Sequence, residues 1–225
     1  MGIPTVERSR AVEDYVKAIH AIADDGGDRS VGTTALASHL GVTPASASGM
    51  VRKLATLGLA TSSPYRGVTL TEDGELLALS ILRRHRLLET FLAQRLGIPW
   101  DRVHAEAEVL EHVLSVELEA AIANNLGNPD RDPHGAPIPR SDLTVEEQQT
   151  FPLEQLAEGD RVRFVRIPDE RPEMLRWLAE RGIAPGAEIE LKRREPFGGP
   201  LTAAINGREH QLGVELAAAI RVEYL

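Results

Sequence analysis

The chain contains no cysteine. That excludes disulfides and thiolate metal sites, and it fits a reducing cytoplasm, where we expect the protein to work. Aromatic residues make up only 4% of the 225 positions, so cores must be built mainly from aliphatic side chains on helices. The first thirty residues lack an apolar run of signal length, and no stretch approaches the ~20 apolar residues that span a bilayer. Met1-Gly2 does not continue into a myristoylation pattern, because position 6 is Val. The expectation is a soluble intracellular protein with no membrane partner.

A further scarcity is local. The net charge is −9, yet Ser30 to Thr71 contains no Asp or Glu. An even spread of the acids would put about six there. The same window keeps His39, Arg52, Lys53 and Arg66. One segment of an acidic protein has been cleared of negative charge, as contact with a polyanion requires.

That segment has a recognisable order. Val12, Tyr15, Val16, Ile19 and Ile22 predict a helix over residues 7–24. T-T-A-L-A-S-H-L predicts a short helix, G-V-T a break, and Thr43-Pro44 a capped helix that stops at Gly58. L-A-T-S-S-P-Y-R-G-V-T-L-T reads as two strands around a turn at 64–67. This is the order of a winged helix-turn-helix. Thr43, Pro44, Ala45, Ser46 and Ser48, small and uncharged, would approach base edges. Arg52, Lys53 and Arg66 would sit on phosphates.

Downstream, residues 75–96 predict a long helix, apolar over much of its circumference, which points to a helical dimer seam. A second helix is expected from 103 to about 124. Residues 127–150, with four prolines, read as an ordered but irregular linker. From 151, short alternating strands and one helix near 172–181 suit a small SH3-like barrel. The fold class expected is mainly α with a small β component, divided at 1–74, 75–128, 129–150 and 151–225.

The chemistry concentrates in V-H-A-E-A-E-V-L-E-H-V-L, residues 103–114. At ~100° per residue, His104, Glu108, Glu111 and His112 fall within about 100° of arc, on one side of a helix. Glu108 and Glu111 repel each other at i,i+3, and burying unpaired carboxylates would cost far more. A bound dication removes both penalties. Carboxylates and imidazoles without sulfur favour Mn²⁺, Fe²⁺ or Zn²⁺, the hard oxygens leaning to manganese. His85 and Glu89 form a second i,i+4 pair on the preceding helix, and Asp14 lies on the first helix. A di-metal enzyme is disfavoured, since its bundle wants Glu-x-x-His on two helices and no nucleophile motif is present.

R-R-H-R-L-L-E followed by V-H-x-E-A-E-x-L-E-H resembles the diphtheria-toxin-repressor-like metalloregulators. The resemblance covers the whole chain. It implies a homodimeric repressor of palindromic double-stranded operator DNA, needing a divalent metal corepressor. Where iron-type members carry methionine and cysteine, this chain has Asp14 and Glu108, as in manganese-type members. The resemblance therefore implies a primary Mn²⁺ site of Asp14, Glu108, Glu111 and His112. Lys17 stands where shorter manganese-type relatives place a second acid. His85, Glu89 and His104 match the ancillary site of three-domain members, with Asp132 and His134 from D-P-H-G and Asp169 as candidates to complete it. Residues 151–225 are similar to the FeoA-like domain found with bacterial iron-transport proteins. An iron-dependent repressor of the same family, or a winged-helix regulator sensing an organic ligand, are the alternatives.

Overall fold

The computed structural model describes residues 9–26, 29–63, 67–146 and 148–225. They fall into two compact units.

The first unit runs to Arg84 and includes the short segments 111–113 and 139–144. Helix α1 (Arg10–Gly26) buries Val12, Tyr15, Val16 and Ile19 on its apolar side. Helices α2 (Thr33–His39) and α3 (Pro44–Thr56) follow. The Thr43 side chain caps α3 by accepting from the Ser46 amide, and Pro44 opens it. Ala47, Val51 and Leu54 face the core. Strands β1 (Ala60–Ser63) and β2 (Gly67–Leu70) pair antiparallel, and Val31 bridges Val68 on the other edge of β2. Gly67 is obligatory there: its φ is +83°, and a Cβ would meet the Val31 carbonyl oxygen at 2.5 Å. Helix α4 (Glu72–Leu96) begins after Thr71, whose Oγ1 accepts from the Gly74 amide. The expected winged helix-turn-helix order is present, although the turn at 64–66, and Arg66 with it, lies outside the described residues.

The second unit holds the rest of α4, α5 (Val103–Leu110), α6 (Val116–Leu126) and the C-terminal domain. Leu87, Leu88, Ala107, Ile122, Ala123 and Ile138 form a small core. The C-terminal domain is a six-stranded antiparallel sheet, ordered β3-β8-β4-β5-β6-β7. Its strands are β3 (Phe151–Pro152), β4 (Arg161–Arg166), β5 (Glu188–Arg194), β6 (Leu201–Ile205), β7 (Arg208–Leu212) and β8 (Arg221–Tyr224). Helices α7 (Pro172–Ala179) and α8 (Val214–Ala219) complete it. Phe164, Leu175, Leu178, Ile189, Leu191 and Val222 are among its fully buried core.

Two expectations need correction. The helix expected from 103 to about 124 is interrupted: α5 ends at Leu110, 111–113 form a turn, and α6 begins afresh at Val116. The physical reason is Ser115, whose side chain accepts from the Leu118 amide and so caps a new helix. The apolar breadth of α4 also has another explanation than the dimer seam expected. Leu77, Ala78, Ile81, Leu82, Leu87, Leu88 and Leu92 are all buried within this one chain. Several exposed apolar side chains gather on and between α5 and α6: Val109, Leu110, Val113, Leu118 and, at 78% exposure, Val116.

Candidate metal centres

The interruption at 111–113 divides the predicted stripe. Glu111 and His112 sit on the turn, whereas His104 and Glu108 remain on α5.

In the first unit, Asp14, Glu111 and His112 each bring a donor atom within 4.8 Å of the others. His112 Nε2 is 3.0 Å from Asp14 Oδ1 and 3.6 Å from Glu111 Oε1. The other ring nitrogen, Nδ1, is 2.6 Å from Glu13 Oε2. A carboxylate can only accept, so Nδ1–H donates to Glu13 and the ring turns its Nε2 toward Asp14 and Glu111. That is how a metal-binding imidazole is held by an outer carboxylate. His112 Nε2 is buried and makes no hydrogen bond. Glu111 is fully buried and takes Lys17 Nζ at 2.6 Å, while Arg84 donates to its backbone carbonyl at 2.9 Å.

The second cluster lies within the second unit. His85, Glu89, His104 and Asp169 also bring donors within 4.8 Å of one another. His85 Nε2 is 3.0 Å from Glu89 Oε1, and His104 Nδ1 is 3.1 Å from Asp169 Oδ2 and 3.5 Å from Glu89 Oε1. His134 Nδ1 stands 3.6 Å from Glu89 Oε2. The His134 Nε2–H donates to the Trp100 carbonyl at 2.8 Å, which leaves Nδ1 as the ring nitrogen facing the cluster. Glu89 is fully buried and His134 is 1% exposed. Glu89 Oε2, His104 Nδ1 and His134 Nδ1 are buried without a hydrogen bond. Glu108 Oε1 is 3.8 Å from both His85 Nδ1 and His104 Nε2.

Asp132 joins Glu89 and His134 in a third grouping of donors. Its Oδ1, however, accepts the His134 and Ala136 amides at 2.8 and 2.9 Å. The side chain thus folds the D-P-H-G turn that presents His134. Gly135 completes that turn at φ +87°, where a Cβ would lie 1.9 Å from the Val165 carbonyl oxygen. The Ile167 amide donates to the His134 carbonyl at 3.0 Å, locking the segment beside β4.

Electrostatics agree with the geometry. Burial raises the Glu89 pKa, but the His85 charge and the close His104, His134 and His85 rings outweigh it and bring the carboxylate down to about 2. Burial works against charge on His104 as well, yet Asp169 and Glu89 lift it to about 10. His134 is lifted against its burial to about 9, chiefly by Glu89. Asp169 is buried too, and the His104 and His85 rings still hold it well below the usual carboxylate range. Asp132 goes the other way, to about 6, because burial and the Glu89 charge both disfavour its ionisation. Without an ion, protons carry the positive charge these carboxylates demand.

These residues fit a first-row divalent ion. Ligands about 2.1 Å from one ion and meeting it at right angles stand roughly 3 Å apart. The shortest nitrogen–oxygen separations between His104 and Asp169 and between His112 and Asp14 are of that size, and the atoms converge without hydrogen-bond geometry. The donors are all oxygen and imidazole nitrogen.

On α3, Thr43, Pro44, Ala45, Ser46, Arg52 and Lys53 are exposed and Ser48 is half-buried. The Ser48 hydroxyl donates to the Pro44 carbonyl at 2.9 Å, and the Thr43 and Ser46 hydroxyls are 2.9 Å apart. Gly49 has no neighbour close to its Cβ position except its own Arg52, so packing within the chain does not explain it.

The sequence reading did not identify Glu13, and it noted Lys17 only as a departure from an acid. The signal for Glu13 was its place one residue before Asp14, between the apolar Val12 and Val16. It is buried.

Comparison with known proteins agrees with this architecture. Residues 8–68 match the iron dependent repressor N-terminal DNA binding domain, 71–140 the iron dependent repressor metal binding and dimerisation domain, and 151–224 the FeoA domain. The chain belongs to the diphtheria-toxin-repressor family of metal-dependent transcriptional repressors. It is 30% identical to the diphtheria toxin repressor of Corynebacterium efficiens, over 94% of this chain and 94% of the relative. To the iron-dependent repressor IdeR of Mycobacterium tuberculosis it is 29% identical, over 94% and 96%. A solved manganese-dependent transcriptional repressor in complex with manganese is 42% identical, with a TM-score of 0.89 over 95% of this chain and all of the other. These relatives are named as repressors, not enzymes. Among the described residues no helix is long and apolar enough to cross a membrane.

Proposed function

We propose that this chain is a manganese-responsive repressor in which Mn²⁺ acts as corepressor at two sites. The primary site is Asp14, Glu111 and His112; Glu108, which the family likeness implies as a fourth donor, stands beside His85 and His104. The ancillary site is His85, Glu89, His104, His134 and Asp169, with Asp132 shaping the turn that carries His134. The observation that carries the reading is the set of buried ring nitrogens, His112 Nε2, His104 Nδ1 and His134 Nδ1, that face carboxylate oxygens and make no hydrogen bond.

The bound ion supplies a cross-link between side chains that otherwise hold protons or ion pairs. Asp14 ties the ion to α1, which packs under the DNA-reading helices, and Glu111 and His112 tie it to the turn between α5 and α6. Glu13 keeps the His112 tautomer correct. The exposed Val109, Leu110, Val116 and Leu118 form the homodimer seam, so that two α3 helices meet a palindromic duplex about one helical turn apart. Thr43, Pro44, Ala45, Ser46 and Ser48 read bases; Arg52, Lys53 and Arg66 hold phosphates. In this reading residues 1–74, 75–128 and 151–225 are the reading, sensing and accessory segments, with 129–150 linking them.

Manganese is preferred to iron because Asp14 and Glu108 occupy places where softer sulfur would favour iron, and the chain has no cysteine. The solved relative at 42% identity is named for manganese, whereas the mycobacterial relative IdeR is named for iron. The test selects duplexes from a random pool with Mn²⁺, then titrates the best duplex by fluorescence anisotropy with Mn²⁺, with Fe²⁺ and under strict chelation. Tight binding only with an ion, and at lower Mn²⁺ than Fe²⁺, is expected. Equal affinity under chelation would end the proposal.

A further inference from the structure

Lys17 brings to the first cluster a cation that the chain itself supplies. Its ammonium is 2.6 Å from Glu111 Oε1; the lysine side chain is 15% exposed and the carboxylate fully buried. The same oxygen is the Glu111 atom 3.6 Å from His112 Nε2. The oxygen that faces an incoming ion is therefore already held by a charged donor. The placement follows from α1: Lys17 comes three residues after Asp14, on the same side of the helix. It also has a physical necessity, since a carboxylate buried with no cation nearby is costly.

We infer that Lys17 is a resident cation of the primary site. It balances the buried Glu111 carboxylate and holds the 111–113 turn in place before a divalent ion arrives. It also sets the ion concentration at which the site loads, because the ion must displace the ammonium from Glu111 Oε1 or share that oxygen with it. This rests on the reading that Asp14, Glu111 and His112 hold the ion.

The inference has two consequences of opposite sign. Without the ammonium, the ion-free protein loses stability while the site gains affinity for a dication. A lysine with a merely structural role would lower both when removed. The experiment uses the full chain with His104→Ala throughout, so that the second cluster does not contribute. Mn²⁺ binding is measured by equilibrium dialysis, and thermal unfolding is followed in chelator. Lys17→Met is expected to unfold several degrees lower in chelator and to bind Mn²⁺ at least fivefold more tightly. Lys17→Arg, which keeps the charge, should match the parent in both. If Lys17→Met does not fold, Lys17→Gln, which keeps a donor for Glu111 without the charge, should show the tightening. Unchanged or weaker Mn²⁺ binding in the neutral variants would overturn the inference. His112→Ala is the control for the site itself: if it binds Mn²⁺ like the parent, the primary site is wrong. If His112→Ala loses the ion while the neutral variants bind as before, only the role of Lys17 falls.

Discussion

The Glu13–His112 contact allows a quantitative forecast. The carboxylate lies 2.6 Å from Nδ1 and both side chains are 7% exposed, so little water competes for the bond. Outer-shell partners of metal-binding histidines are worth roughly 10–100-fold in metal affinity. Glu13→Gln retains an oxygen to accept the Nδ1 proton but removes the charge, which places it near the low end, at about tenfold or ~1.4 kcal/mol. Glu13→Ala also removes the acceptor and leaves the Arg84 guanidinium, 3.7 Å away, without that carboxylate. It should fall near the high end, about a hundredfold. The assay is Mn²⁺ equilibrium dialysis in a His104→Ala background, with thermal unfolding in chelator to separate loss of the site from loss of the fold. Two variants that both bind Mn²⁺ within twofold of the parent would refute the orienting role.

Other forecasts follow from the second cluster and the reading helix. His104 and His134, lifted to about 10 and about 9, are protonated at neutral pH without an ion. Loading should therefore release up to two protons, and Mn²⁺ affinity there should fall steeply from pH 8 to pH 6, as calorimetry in two buffers of different ionisation enthalpy would show. In chelator the sign for the fold is the reverse. Raised histidine pKa values stabilise the fold fully below their unfolded value, ~6.5, and that contribution is lost as pH rises through 9 to 10. Lowered Glu89 and Asp169 stabilise it above ~4.5 and lose their contribution as pH falls toward 2, so melting temperature should peak between these limits. Gly135→Ala combines left-handed strain with a clash against the Val165 carbonyl and should cost on the order of 3 kcal/mol, measured by denaturant unfolding. Arg52→Ala and Lys53→Ala should each weaken DNA binding alike for all sequences and reduce the salt slope by about 1. A change in base preference instead would move them from phosphates to bases.

Much of the molecule was legible because the signals were local. Thr43-Pro44 announced the start of α3, and the apolar spacing of Val12, Val16 and Ile19 announced α1. The strands β4, β5, β6 and β8 follow their alternation, whereas β7, R-E-H-Q-L, is too polar to show one and was missed. His85, Glu89, His104, His134 and Asp169 come from four separate stretches of chain, and the structure brings them together. Composition and spacing alone gave the His85–Glu89 and His104–Glu108 pairs; the linker and C-terminal members came from family likeness. The break after Leu110 was illegible because its cause, the Ser115 cap, sits inside a run whose spacing still looks helical. The pairing of Lys17 with Glu111, 94 residues apart, depends on tertiary packing and leaves no trace in local pattern.

The knuckle at 111–113 also bears on speed. Had Glu111 and His112 lain mid-helix, re-aiming them would have meant rotating or unwinding a hydrogen-bonded rod. Where they are, a handful of torsions between two stiff segments suffices, and loop torsions reset in nanoseconds to microseconds. If the proposed site holds, this turn can respond to an ion far faster than a gene can be switched, leaving transcription, not sensing, as the slow stage.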